Sequence, residues 1–220
     1  MKLKKLKDAS LDELRVRAAQ RVAAFSERRG WSSLGKLPTD QEFDALISPN
    51  GKVEPAFFSS FKSPEQTIHA FSSRWPNTAQ RLLEKADRIC EGKFDLLGLK
   101  DLSFGDPIDW QFEPTTNKRI PLVHWSKLDY LDAELAGDKK IIWELNRHQY
   151  FVTLGQAYWL TGDERYARRF ANHLDAWMEA NPPKLGINWA SSLEVAFRSI
   201  SWLWAFHFFK SSPALTPETL

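Results

Sequence analysis

Side chains that could do chemistry gather in two short stretches of the second half of the chain. The first is Trp143-Glu144-Leu145-Asn146-Arg147-His148-Gln149, at the front of a segment that is otherwise apolar nearly all round: Phe151, Val152, Leu154, Tyr158, Trp159 and Leu160. A helix of that composition is buried on most sides. An anion or a sugar hydroxyl at its polar N-terminal end would meet backbone N–H groups and the positive end of the helix dipole. Arg147 can bind a sulfate or carboxylate there, or close an ion pair with Glu144 or Asp163, while His148 shares the arc of Val152 and Trp159, the place of a core histidine. The second stretch runs from Asn188-Trp189 to Arg198. At about 100° per residue, Trp189, Leu193, Ala196, Phe197, Ile200, Leu203 and Trp204 fall on one apolar arc, and Asn188, Ser191, Glu194 and Arg198 on the other. Glu194 and Arg198 have the i, i+4 order of a helical ion pair.

Composition narrows the field. Ten tryptophans and fifteen phenylalanines stand in 220 residues that are 43% hydrophobic and 26% charged, enough for a sizeable core. Indole faces suit sugar rings and indole N–H groups suit hydroxyls, so Trp143 and Trp189 are candidates for stacking on a glycan, with core packing as the other use. A net charge of +2 argues against a dedicated nucleic-acid binder. No apolar run approaches the ~18–20 residues that span a bilayer. Cys90 is the sole cysteine, which rules out an intrachain disulfide and reads as a small buried hydrophobe. His69, His124, His148, His173 and His207 are scattered, with no pair at ligand spacing, so neither a metal nor another cofactor is expected. The basic start Met1–Lys7 has no apolar segment behind it, and leaves open whether the protein is exported or stays in the cytosol.

The elements that must hold these residues are mostly helical. Leu11, Leu14, Ala18, Val22 and Phe25 place an amphipathic helix over 8–29; residues 30–64, broken by glycines and prolines, read as loop. A second helix covers about 64–91, with a break at Trp75-Pro76, and 93–125 reads as irregular with short strands. Three helices follow over about 138–161, 163–180 and 188–210. Gly162 suits a left-handed C-terminal position and Asp163 an N-cap, and connections this short turn neighbouring helices antiparallel. Thr216-Pro217-Glu218 looks like the start of a further helix. We divide the chain into an N-terminal helical and loop-rich extension, 1–92, and a helical-hairpin domain, 93–220.

These residues carry a resemblance. Trp143-Glu144-Leu145-Asn146-Arg147-His148, Leu154-Gly155-Gln156-Ala157-Tyr158, Thr161-Gly162-Asp163-Glu164-Arg165-Tyr166, Gly186-Ile187-Asn188-Trp189 and Glu194-Val195-Ala196-Phe197-Arg198 with Trp202 resemble, in order and spacing, the N-terminal domain of heparinase II/III polysaccharide lyases. Phe94-Asp95-Leu96-Leu97-Gly98 and Ile108-Asp109-Trp110 extend the likeness over about 90–210. It implies a mainly α fold: the first part of an α/α toroid, truncated here, with the family's C-terminal antiparallel β-sandwich as the missing partner and the active site between them. It also implies cleavage of an acidic polysaccharide, heparan sulfate, alginate or a similar uronate polymer, by β-elimination, and a protein that is periplasmic or secreted.

By the same resemblance Asn188 is the residue that neutralises the uronate carboxylate, with an N-cap as its plainer use; Arg147, His148, Trp189, Arg198, Trp143, Glu144 and Asn146 are the further candidates for a substrate site, with ion pairing or core packing as their other use. The family's catalytic tyrosine and histidine come from later segments. Tyr130, Tyr150, Tyr158 and Tyr166 do not fall at the matching place, so the fragment alone is expected to be inactive. Three rivals remain. Leu154-Gly155, Tyr158 and Ala167 fall at tetratricopeptide spacing, but the pattern does not recur. A glycoside hydrolase on the same toroid would need two carboxylic acids across a cleft, for which Glu144 and Glu194 are candidates. A non-catalytic relative would only hold an acidic glycan.

Overall fold

The computed structural model describes residues 10–32, 39, 41, 42, 45, 57–130 and 132–215. The chain forms two compact units, Met1–Pro55 and Ala56–Leu220. In the first, helix α1 spans Leu11–Arg28, and the Ser10 hydroxyl accepts the Glu13 N–H at its start. Most of the loop read over 30–64 lies outside the described residues, as do Met1–Lys7 and Thr216-Pro217-Glu218.

The second unit opens with α2 (Pro64–Arg74) and α3 (Pro76–Cys90), interrupted at Trp75-Pro76 as the sequence predicts. Proline cannot continue the first helix but suits the first turn of the next. Two small antiparallel ribbons follow, β1 (Phe94–Leu96) with β2 (Leu99–Leu102) and β3 (Phe112–Glu113) with β4 (Lys118–Arg119). Then come α4 (Ala133–Ala136), α5 (Lys139–Asn146), α6 (Tyr150–Thr161), α7 (Glu164–Ala180) and α8 (Ser192–Phe209). The division drawn at residue 92 falls inside this unit, between α3 and β1. No described helix is long and apolar enough to cross a membrane.

Helix α6 is the hub, packed against α3, α7 and α8. Its Phe151, Leu154 and Ala157 meet Ala86 and Ile89 of α3, Tyr166, Phe170 and Trp177 of α7, and Ala205, Phe208 and Phe209 of α8 in one apolar cluster. Each large side chain buried here contributes roughly 1.5–3 kcal/mol. The turn into α7 is as expected: Gly162 is left-handed at φ 69°, and the Asp163 carboxylate accepts the Arg165 N–H at 2.9 Å.

Two sequence readings need correction. The segment 138–161 is two helices, because His148 sits at φ 56° between α5 and α6. A single left-handed residue leaves the apolar spacing almost intact, so periodicity does not reveal it. What holds it is the imidazole, fully buried among Trp110, Phe151, Trp177 and Trp202. Helix α8 is also turned over relative to the expected arc. Glu194, Arg198 and Ser201 are buried, while Leu193, Ile200 and Leu203 are each more than half exposed. From Trp202 onward α8 is apolar on every side, so the apolar arc alone does not choose the inner face; the polar contacts below do.

Gly155 explains itself through packing. A Cβ there would stand 2.6 Å from the Phe208 side chain, which a real carbon cannot do. We expect Gly155→Ala to lower stability by about 1–3 kcal/mol despite alanine's better helix propensity. Urea unfolding of the two proteins measures this; an unchanged or raised midpoint would show that α6 and α8 are not in such close approach.

Candidate functional site

The end of α5, the end of α7, the 3₁₀ turn Ile187–Trp189 and the start of α8 converge on a buried set of amides. Asn188, fully buried, donates its two amide hydrogens to Asn146 Oδ1 at 2.9 Å and Asn181 Oδ1 at 2.8 Å. Trp177 Nε1 donates to the same Asn146 oxygen at 2.6 Å, and Gln111 Nε2 to the same Asn181 oxygen at 2.6 Å. The Asn146 amide returns to the carbonyls of Ile142 and Trp110, and that of Asn181 to the carbonyl of Trp177. Asn188 is therefore the centre of a network rather than a helix cap; the residue before α8 is Ser191. Asn188 Oδ1, Gln111 Oε1 and Trp189 Nε1 are buried without a protein partner, a situation that ordered water commonly relieves.

Arg198 lies against this network, 3% exposed, its guanidinium 4.3 Å from the Trp177 ring centre and 5.4 Å from that of Trp189. It donates to the backbone carbonyls of Asn188 at 3.2 Å and Asn146 at 3.4 Å. The expected pair with Glu194 is not its bond. Glu194 instead takes Arg147 in a two-pronged contact, Nε to Oε2 at 2.8 Å and Nη2 to Oε1 at 3.0 Å, and Arg147 reaches Glu144 at 2.7 Å. Asp163, the other partner considered for Arg147, pairs with Arg165. Arg147, at the C-terminal end of α5, reaches across to α8, where its planar fork fits a carboxylate. Burial lowers the Arg198 pKa to about 10, with Glu194 opposing, so it stays charged at neutral pH. The bonds to Glu194 raise that of Arg147, against burial.

His148 accepts the Trp202 indole N–H at Nδ1, 2.8 Å, which puts its own proton on Nε2; burial holds its pKa well below the usual range. Of the two tryptophans proposed for stacking, Trp143 is half-buried and donates to the Ile187 carbonyl at 3.2 Å, and Trp189 is half-buried beside Arg198. Gln111, Asn181, Trp177 and Trp202, which sequence reasoning did not single out, are integral to the arrangement. Asn181-Pro182-Pro183, read only as a helix end, was the available signal for one of them. Among the described residues no group of three His, Cys, Asp or Glu side chains could hold a metal ion.

The family model described as Heparinase II/III N-terminus matches residues 3–220. The chain belongs to that family. Among curated relatives it is similar to heparin-sulfate lyases: 26% identical over 138 residues to one from Bacteroides stercoris, 36% over 80 residues to one from Bacteroides thetaiotaomicron, and 34% over 89 residues to one from Pedobacter heparinus. The alignments cover 54%, 35% and 38% of this chain but only 18%, 11% and 13% of the relatives' own length. No solved structure matches it. The stretches quoted above for the resemblance contain Asn146 and Arg147 on one side of the buried network and Asn188, Glu194 and Arg198 on the other.

A second buried contact in this heparinase-type domain leads us to expect a pH response. His173 accepts at Nε2 from Arg169 (3.5 Å) and is bonded through Nδ1 to the Tyr150 hydroxyl at 3.0 Å. Burial, and then the charge of Arg169, lower its pKa to about 3. The unfolded chain binds that proton near pH 6.5, so the folded state is penalised as pH falls below that value, by up to about 1.4 kcal/mol per unit. We expect stability to fall from pH 6.5 towards pH 4 and the fall to be shallower in His173→Gln. Urea midpoints at a series of pH values test this; parallel curves for the two proteins would contradict it.

Proposed function

We propose that this chain is the N-terminal helical part of a polysaccharide lyase that cleaves a uronate-containing acidic polysaccharide by β-elimination, within an α/α toroid completed by a β-sandwich. The family membership and the names of its relatives support a lyase, and a heparan-sulfate-like polymer is the first substrate to test. In this reaction a base removes the C5 proton of the uronate and the bond to the C4 oxygen breaks. Abstraction drives negative charge onto a carboxylate already charged, so the site must aim neutral or cationic donors at those oxygens. The observation that carries the reading is the union of Asn188 and the buried Arg198 across one carbonyl, with Trp189 beside Arg198.

Asn188 supplies an amide with no like charge, which suits a carboxylate. Both of its hydrogens are donated to Asn146 and Asn181, so a uronate must take over one of those bonds. The glycoside-hydrolase alternative is disfavoured by Glu144 and Glu194, which share the single guanidinium of Arg147 instead of facing each other across a gap. The catalytic base and acid belong to later segments of the longer polypeptide in this proposal.

The test is ultraviolet absorbance of unsaturated uronate, followed on a panel of acidic polysaccharides with the polypeptide extended to the length of its relatives. We expect one polymer to respond, the 220-residue chain to be silent, and Asn188→Ala to lose about 10²–10³ in turnover, the scale of one oxyanion donor. Turnover is taken per folded molecule, from the unfolding curve of each variant. An Asn188→Ala enzyme within about threefold of the parent would remove the carboxylate role.

A further inference from the structure

Helix α7 carries a second concave site, apart from the amides at its end. Arg169, Asn172, His173 and Ala176 stand at i, i+3, i+4 and i+7, and so share one face of the helix. With the end of α3 and the loop between β2 and β3, that face lines a pocket of about 560 Å³. Small-molecule sites fall in the same range, ~300–1,000 Å³. Trp110 belongs to both regions. It lines the pocket beside His173, the ring centres 5.9 Å apart, and its carbonyl accepts the Asn146 amide.

The lining sets opposed demands. Arg169 donates Nη2 to the Cys90 carbonyl, a cap on the end of α3, and its Nη1 lies 3.5 Å from His173 Nε2. Both acceptors are uncharged at neutral pH, since burial and then the Arg169 charge lower the His173 pKa to about 3. Arg165, one turn earlier, has Asp87 and Asp163. Among the described residues no carboxylate pairs with Arg169, and these two bonds use two of the five N–H groups of a guanidinium. The rest suit a carboxylate. Asp106, which also lines the pocket, is exposed and pairs with no cation among the described residues. It repels a second negative charge and accepts hydroxyl hydrogens. Asn172 is exposed with its side-chain amide unbonded among the described residues, and the Ser103 hydroxyl accepts the Gly105 N–H while keeping its own proton to donate. Glu91, the other acid at the pocket, is paired with Lys93. Sulfate, all acceptors, does not answer Asp106, and a neutral sugar leaves Arg169 unmatched. One carboxylate and several hydroxyls on a compact ring answer both.

We propose that this pocket binds a single uronate, its carboxylate on Arg169 and its hydroxyls on Asp106, Asn172 and Ser103, at a site separate from Asn188. The choice of a uronate among hydroxylated carboxylates rests on the lyase reading; the pocket and its charges do not. A uronate reaches such a pocket as a free sugar or as the end of a chain.

Cys90, the sole cysteine, lines the pocket and reports on it. Burial raises the pKa of its thiol and the Arg169 charge opposes that rise, so a carboxylate on Arg169 slows alkylation by charge as well as by cover. The experiment times alkylation of the 220-residue chain by iodoacetamide, at matched ionic strength, with D-glucuronate, D-glucose, sodium sulfate or an alginate trisaccharide. We expect saturable slowing of at least about fivefold by glucuronate at about 50 mM, well above the Kd of a millimolar site, and rates within about twofold of the free protein with glucose or sulfate. Stronger protection by the trisaccharide assigns the end of a chain; stronger protection by glucuronate assigns the free sugar. A rate that neither glucuronate nor the trisaccharide moves, or that glucose or sulfate slows equally, overturns the proposal. Arg169→Gln should abolish the protection. Because that change also removes the cap on α3, Asn172→Ala, which breaks no described bond, is the second variant, and it should weaken glucuronate about three- to tenfold. Unaltered protection in Asn172→Ala contradicts the assignment. Polysaccharide cleavage by the polypeptide extended to the length of its relatives is read separately. Protection without cleavage sinks the lyase reading and leaves the pocket; cleavage without protection does the reverse.

Discussion

An asparagine side chain placed in a dry interior must find partners for two hydrogens and an oxygen, or cost the fold one to three kcal/mol for each group left over. Three such side chains, Asn146, Asn181 and Asn188, meet in the interior of the second unit and satisfy most of one another's demands. They come from the end of α5, the end of α7 and the turn before α8, so their bonds fix three chain segments relative to each other. Trp177 and Gln111 add donors to the two shared oxygens, and Arg198 clamps two of the backbone carbonyls. Apolar packing around α6 supplies the bulk of the driving force but is tolerant of rotation and sliding. The amides are not.

The same constraint decides which way α8 faces. Its lower half is apolar on every side, and hydrophobic burial alone would be served by turning Leu193, Ile200 and Leu203 inward. That would carry Glu194 away from Arg147 and Arg198 away from the carbonyls of Asn146 and Asn188. Breaking two buried, hydrogen-bonded charges costs about 3–5 kcal/mol each, more than the roughly 1–1.5 kcal/mol each that burying the exposed halves of three aliphatic side chains would return. The polar face therefore wins the interior. This places cationic and neutral donors, rather than aliphatic carbon, at the junction of the helices.

Much of the fold was legible. The helices over 64–90 and 164–180, the stop at Trp75-Pro76, Gly162 with Asp163, and the mainly helical class follow from punctuation and periodicity that act locally. The break at His148 was not legible, because one left-handed residue costs little and is held by aromatic neighbours that come from positions 110, 177 and 202. The orientation of α8 was hidden for a related reason: an arc of leucines reads as a core face unless the partners of the polar arc are known. Asn146, Arg147, Asn188, Glu194 and Arg198 could be picked out as a set, but not their pairing. Gln111, which lies 70 residues from its partner Asn181, had no local signal at all.

The bond between Asn146 and Asn188 couples two of the three converging segments, and a double-mutant cycle measures that coupling most directly. Unfolding free energies of the parent, Asn146→Ala, Asn188→Ala and the double variant are compared in urea. The bonded geometry predicts an interaction energy of about 0.5–3 kcal/mol, with the double variant losing less than the sum of the singles. Additive losses would mean that the two amides do not share a bond, and that the centre of the domain is held in some other way.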